Sequence, residues 1–227
     1  MIGHTRWCGE RAMEHAFGLD IPRTLQEACH PARTALIVYD MQVGVVGQIA
    51  DGAQVTRRVV DLVAAARTGG YRVIYLRHMF PPPALSGVAA LRTAMAWQRV
   101  DSVTEVGPFL TRDAPGFELV PELDPRPDEL VLDKITMSAF EGTPLDIVLR
   151  DCRLDSFIIA GVAMEVGIEP TVRHALDLGY LPIVVADACG AGHAEAAARS
   201  RATLEFTGGS LWTDSATVQP LLQVGGR

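Results

Sequence analysis

Five short apolar runs punctuate the chain, at residues 35–39 (ALIVY), 72–76 (RVIYL), 130–132 (LVL), 157–160 (FIIA) and 183–186 (IVVA). They are rich in β-branched residues and mostly continuous rather than alternating, which marks strands buried on both faces. The stretches between them carry helical spacing. Residues 55–66 place Val55, Val59, Leu62, Val63 and Ala66 on one stripe and stop at Gly69-Gly70. Thr143-Pro144 opens a second helix that runs to about Cys152, with an N-cap residue followed by proline in the first turn. Two more are expected at 169–178, closed by Gly179, and at the alanine-rich 193–206. Alternation of this kind predicts a parallel sheet covered by helices on both faces, a three-layer α/β/α domain.

Two segments interrupt the alternation. Residues 1–33 read as an N-terminal arm, partly helical around 10–17 and without a strand of its own. Residues 79–129 form a long excursion with three consecutive prolines at 81–83, a helical piece at 89–100 and a proline-rich stretch at 121–127. Excursions of this length in a compact domain serve as functional caps or interface segments. The expected organisation is an arm at 1–33 and one domain over 34–227, since a chain of 227 residues fits a single core.

Composition narrows the function. With 48% hydrophobic and 21% charged residues the chain is globular, and its net charge of −7 argues against nucleic acid or an anionic membrane surface as a partner. A small molecule is the expected ligand. Four scattered cysteines, Cys8, Cys29, Cys152 and Cys189, make neither a disulfide scaffold nor C-x-x-C pairs. Reduced thiols in a cytoplasmic enzyme are the natural reading. No apolar stretch reaches the 18 residues of a membrane span, and the first 29 residues lack the apolar core of a signal peptide. No metal is expected, because no dense His/Asp cluster occurs. No nucleotide cofactor is expected either, because the first strand-to-helix turn has only Gly44 and Gly47.

Ligand sites in open α/β sheets lie beyond the carboxyl ends of the strands. That rule selects Asp40, His78, Lys134, the turn from Gly161 to Gly167, and Asp187. Asp40 closes an apolar strand, where partial desolvation beside a cation builds a proton-transfer group, or where the carboxylate merely caps a loop. Lys134 ends the third run in the same way, or snorkels to the surface. The turn after Gly161 enters a helix, so its N–H groups are expected either to face the cleft and bind an oxyanion or to form an ordinary tight connection. His174 and His193 are read as structural.

At these residues the chain resembles the isochorismatase-like hydrolases, also called cysteine hydrolases. The matching pieces are 34–42 (TALIVYDMQ), 134–140 (KITMSAF), 161–163 (GVA), the Glu169, Thr171, Arg173 and Ala175 spacing, and 185–188 (VADA). The resemblance spans roughly residues 31–217. It implies a six-stranded, mostly parallel, Rossmann-like sheet, a homo-oligomer (dimer or tetramer), and a site built from an Asp, a Lys and a Cys. Asp40 and Lys134 match the first two. The cysteine would stand at position 167, where this chain has Gly167, and Met164 and Glu165 replace the family's usual Thr and Asn.

A family branch that cleaves vinyl ethers likewise resembles this pattern without the cysteine, whereas the following helix is more like that of the amide-cleaving branch. The expectation is therefore a hydrolase acting on a vinyl-ether C–O or amide-type C–N bond of a small polar metabolite. Asp40, Lys134 and Glu165 would carry acid–base chemistry with water, and Gly167 would leave room for substrate or water. Gln42, Arg77, His78, Trp97, Ala163, Met164 and Gly167 are the candidate substrate-binding residues, with Phe109 beside them in the excursion. The alternatives are a binding protein that has lost catalysis and an amidase that uses Cys189.

Overall fold

The computed structural model describes residues 13–224. The arm opens with strands β1 (Glu14–Ala16) and β2 (Leu19–Ile21), paired antiparallel, and the short helix α1 (Leu25–Ala28). This replaces the helix expected around 10–17, of which 10–12 lie outside the described residues. Phe17 and Gly18 both take positive φ (54° and 78°), the two-residue turn that folds a chain back as a hairpin. Helix α1 starts at a capping box between Thr24 and Glu27.

The main sheet is built from β3 (Thr34–Tyr39), β4 (Arg72–His78), β5 (Leu130–Lys134), β6 (Ser156–Val162), β7 (Leu181–Gly190) and β8 (Leu211–Thr213). All are parallel, in the order β5-β4-β3-β6-β7-β8. The five apolar runs are the first five of these strands. The sixth, β8, is three residues long and half-buried, too short to register as an apolar run.

Along β3 the side chains alternate between two cores. Leu36 and Val38 pack with Val55, Val59 and Leu62 of helix α3 (Gly52–Thr68), reached through the single turn α2 (Val43–Val46), and with Val218 and Leu222 of the C-terminal helix. Ala35, Ile37 and Tyr39 pack on the opposite face with Leu145, Leu149, Val172, Ala175 and Leu204. Each such aliphatic side chain contributes roughly 2 kcal/mol by leaving water, so the alternating pattern fixes which helix covers which face.

The excursion carries α4 (Val88–Gln98), which ends where Arg99 turns left-handed at φ 56°. After β5 come α5 (Leu145–Asp151), with Thr143 Oγ1 accepting the Leu145 N–H, and α6 (Glu169–Leu178), closed by Gly179 at φ 89°. Helices α7 (Ala194–Thr207) and α8 (Ser215–Val224) complete the layers. Among the described residues no helix is long and apolar enough to cross a membrane.

The centre of the sheet is tightest at Gly161, whose φ of 133° is closed to side-chain-bearing residues and whose Cβ would sit 2.1 Å from the Tyr39 carbonyl oxygen. Gly161→Ala is expected to cost about 3 kcal/mol or more in chemical denaturation, because clash and backbone strain act together.

Candidate active site

The strand order brings three chain-distant residues to adjacent strand ends: Asp40 just past β3, His78 at the end of β4 and Lys134 at the end of β5. Asp40 leaves the strand at φ 47°, a conformation unusual for a residue with a side chain and concentrated at functional sites. Its Oδ2 accepts a hydrogen bond from Lys134 Nζ at 2.7 Å, with the lysine side chain wholly buried and that of Asp40 9% exposed. Asp40 Oδ1 is buried and has no hydrogen-bond partner among the described residues. Lys134 also donates to the Thr136 carbonyl at 3.2 Å and faces His78 Nδ1 at 3.5 Å. It is the only lysine in the chain.

Burial sets the protonation of all three. Desolvation pushes the Asp40 carboxyl upward against the pull of Lys134, and pushes the Lys134 ammonium downward against the pull of Asp40. His78 is lowered to about 3 by burial and then by the Lys134 charge, so it stays neutral.

Asp40 borders a cavity of about 680 Å³ whose wall also includes Tyr39, His78, Ala163, Glu165 and Gly167. Trp97, Arg99, Phe109 and Leu110 close it from the excursion, where His78, Phe80, Trp97 and Phe109 interlock as an aromatic cluster with ring centroids 5.1–6.0 Å apart. Lys134 does not border the cavity and reaches it through Asp40. Glu165 Oε1 accepts the backbone N–H of His193 at 2.6 Å, while Oε2 is buried and has no partner among the described residues.

Several expected contacts are rearranged. The side chain of Gln42 is fully buried away from the cavity: it donates to the His78 and Phe117 carbonyls and accepts the His78 N–H, tying β3, β4 and the excursion together. Arg77 is engaged by Asp133 at 2.8 Å and lies over the Phe117 ring. Met164 is buried in the second core. The turn into α6 is a wide π-type turn over Met164–Ile168, in which the N–H groups of Val166, Gly167 and Ile168 converge on the Ala163 carbonyl. They are thus occupied within the turn rather than turned to an oxyanion. Nor does Gly167 leave room for substrate, since its missing side chain is replaced by the ring of Tyr39, 2.2 Å from where a Cβ would be.

Asp187 binds Arg58 and caps α8 through the N–H and hydroxyl of Ser215. Cys189 lies off the cavity, with its thiol against the Ile159 carbonyl and burial pushing its pKa well up.

Sequence reading missed Tyr39, Arg99 and Met137 as wall residues, and His193, read as structural, both caps α7 and borders the cavity. Tyr39 was hidden inside an apolar run. Lys134, already selected by its strand-end position, is also the sole lysine beside nineteen arginines, among 20 basic residues.

Residues 34–214, which hold all of these strand ends, match the isochorismatase domain. The chain belongs to the isochorismatase family of hydrolases. It is 30% identical to the ureidoacrylate amidohydrolase of Pantoea ananatis over 173 residues, covering 70% of this chain and 69% of the relative. The corresponding protein of Acinetobacter baylyi is 30% identical over 183 residues, 74% of each chain. Among solved structures, a cysteine hydrolase from Pseudomonas syringae pv. phaseolicola superposes with a TM-score of 0.74 at 27% identity, covering 87% of this chain and 96% of its own. An isochorismatase family protein from Desulfovibrio vulgaris, at 24% identity and TM-score 0.70, shares the fold over 83% of this chain and 97% of its own.

His78 gives a pH test. It is neutral in the fold and titrates near 6.5 when unfolded, so the unfolded chain gains a proton first and stability falls as pH drops from 6.5 toward 3. Between pH 7 and 4.5, wild type is expected to lose about 2 kcal/mol more than His78→Gln, measured by urea denaturation at the two pH values.

Proposed function

We propose that this hydrolase cleaves an amide-type C–N bond of a small polar metabolite, with Asp40 as the acid–base group and water as the attacking group. The observation that carries the reading is Asp40 at the cavity wall with Lys134 locked behind it at 2.7 Å, while position 167 offers no side chain for attack. Gly167 stands where the family resemblance places a nucleophilic cysteine. The names of the curated relatives, ureidoacrylate amidohydrolases, favour a C–N bond over a vinyl-ether C–O bond.

In the proposed reaction the Asp40 carboxylate takes a proton from water as the water oxygen attacks the substrate carbonyl carbon. The same proton passes to the leaving nitrogen, the C–N bond breaks, and an acid and an amine or ammonia leave. Lys134 remains an ammonium, holding the charge and orientation of Asp40 through the cycle. Desolvation brings the carboxyl closer to a working proton acceptor and donor at neutral pH. Glu165 adds a second carboxylate, and His78, Trp97, Ala163 and Phe109 shape the remaining wall.

The same proposal keeps the arm at 1–33 apart from a single domain over 34–227, a cytoplasmic setting in keeping with the free thiols of Cys29, Cys152 and Cys189, and a homo-oligomer. Leu85 and Val88, exposed on the excursion, support the last of these.

A panel of N-carbamoyl and ureido acids and simple primary amides, assayed for released amine or ammonia, tests the activity. Asp40→Asn and Lys134→Met are each expected to lower kcat/KM by about 10³, with Cys189→Ala within twofold of wild type. Wild-type rates in both of the first two variants would remove Asp40 and Lys134 from the reaction. Saturable binding without turnover across the panel would leave a binding protein.

A further inference from the structure

Tyr39 is the last residue of β3, and its ring is almost wholly buried at 1% exposure while still bordering the cavity beside Asp40 and Gly167. A Cβ built on Gly167 would lie 2.2 Å from both Tyr39 Cε1 and the phenol oxygen, and 2.3 Å from Cζ. Van der Waals contact begins more than an ångström farther out. The ring has little freedom to withdraw, since it sits in the second core and its hydroxyl donates a hydrogen bond to the Met137 carbonyl. On the same ring, Lys134 Nζ stands 4.3 Å from the centroid, within cation–π range. The groups around that ammonium are Asp40 from the β3 end, His78 from β4, the Thr136 carbonyl and this ring.

We propose that Tyr39 is the positioning residue of the site: its ring takes the volume that any side chain at position 167 would need, and its face holds the Lys134 ammonium against Asp40. Residues 39 and 167 then act as one unit, in which an aromatic ring at the first demands glycine at the second. The missing nucleophile is therefore a filled space rather than a gap, and the filling group serves the acid–base pair. Tyr39 itself acts as neither nucleophile nor proton donor, because burial holds the phenol neutral and its proton is engaged by Met137. The second half of the proposal rests on Asp40 and Lys134 being the working pair; neither half needs turnover to be read.

The steric half is tested by thermal unfolding of Gly167→Ala, Tyr39→Leu, Tyr39→Leu/Gly167→Ala and Tyr39→Phe/Gly167→Ala. Gly167→Ala alone is expected to melt about 5 °C or more below wild type. The Phe background keeps the ring and the penalty. The Leu background removes it, so that the double variant melts within about 2 °C of Tyr39→Leu. If Gly167→Ala yields no folded protein, folded Tyr39→Leu/Gly167→Ala is the same rescue. A Gly167→Ala protein that melts with wild type, or no rescue in the Leu background, overturns it.

The electrostatic half uses the sole lysine. Protein labelled with ¹³Cε-lysine gives one lysine signal, from Lys134, whose shift is followed against pH. The apparent pKa is expected about one unit lower in the repacked Tyr39→Leu/Gly167→Ala variant, which lacks the ring face, and at the wild-type value in Tyr39→Phe. An unchanged or higher value in the double variant overturns the positioning role. Failure of the amide panel, by contrast, removes only the proposed activity.

Discussion

The buried pair of Lys134 and Asp40 is the constraint around which the molecule is arranged. Removing an ammonium and a carboxylate from water is costly, and their mutual attraction offsets that cost only with good geometry and further hydrogen bonds. Here the lysine receives a carboxylate oxygen, the Thr136 carbonyl, an imidazole and an aromatic face. Each comes from a different position in the chain. Only a parallel sheet in the order β5-β4-β3 sets the ends of three such strands side by side. The pair is thus a consequence of topology, and losing either partner would strand a charge inside the protein.

The excursion matters for the same reason. Its returning chain runs back along the end of β3, where Val43 donates to the Glu118 carbonyl and Val120 to that of Met41. Gln42 then ties Phe117 to His78. That network pins the left-handed turn at Asp40 from both sides, while the aromatic rings of the same excursion close the cavity above it. A segment without regular strands therefore does two jobs, fixing the carboxylate and supplying one wall of the cavity it borders.

Much of this is legible along the chain. The continuous β-branched runs identify five of the six parallel strands, because a strand buried on both faces has to be apolar throughout. Gly69-Gly70, Thr143 and Gly179 mark helix ends through local chemistry. Asp40 and Lys134 stand out because an ionisable residue at the tip of an apolar strand is desolvated, and it costs stability unless an opposite charge meets it there. The arm hairpin does not stand out, since its residues are exposed and carry no core pattern. Arg77 precedes His78 in β4, where adjacent positions point in opposite directions. The left-handed turn at Asp40 and the π-type turn over Met164–Ile168 send Gln42 and Met164 into the scaffold, which no local pattern marks.

Sequence by itself determined the layered fold, the ionisable residues at the strand ends, and a glycine at position 167. Hydrophobic periodicity and local backbone preferences act over a few residues, so they can be read along the chain. Tertiary structure alone decided what occupies the space above Gly167, which N–H groups are already bonded, and which side of Asp40 faces the cavity. The first depends on Tyr39 and Gly167, which are far apart in the chain, and the last on Lys134 meeting Asp40 from another strand. Close packing lets only one group fill a given space, and a linear pattern cannot show which one does.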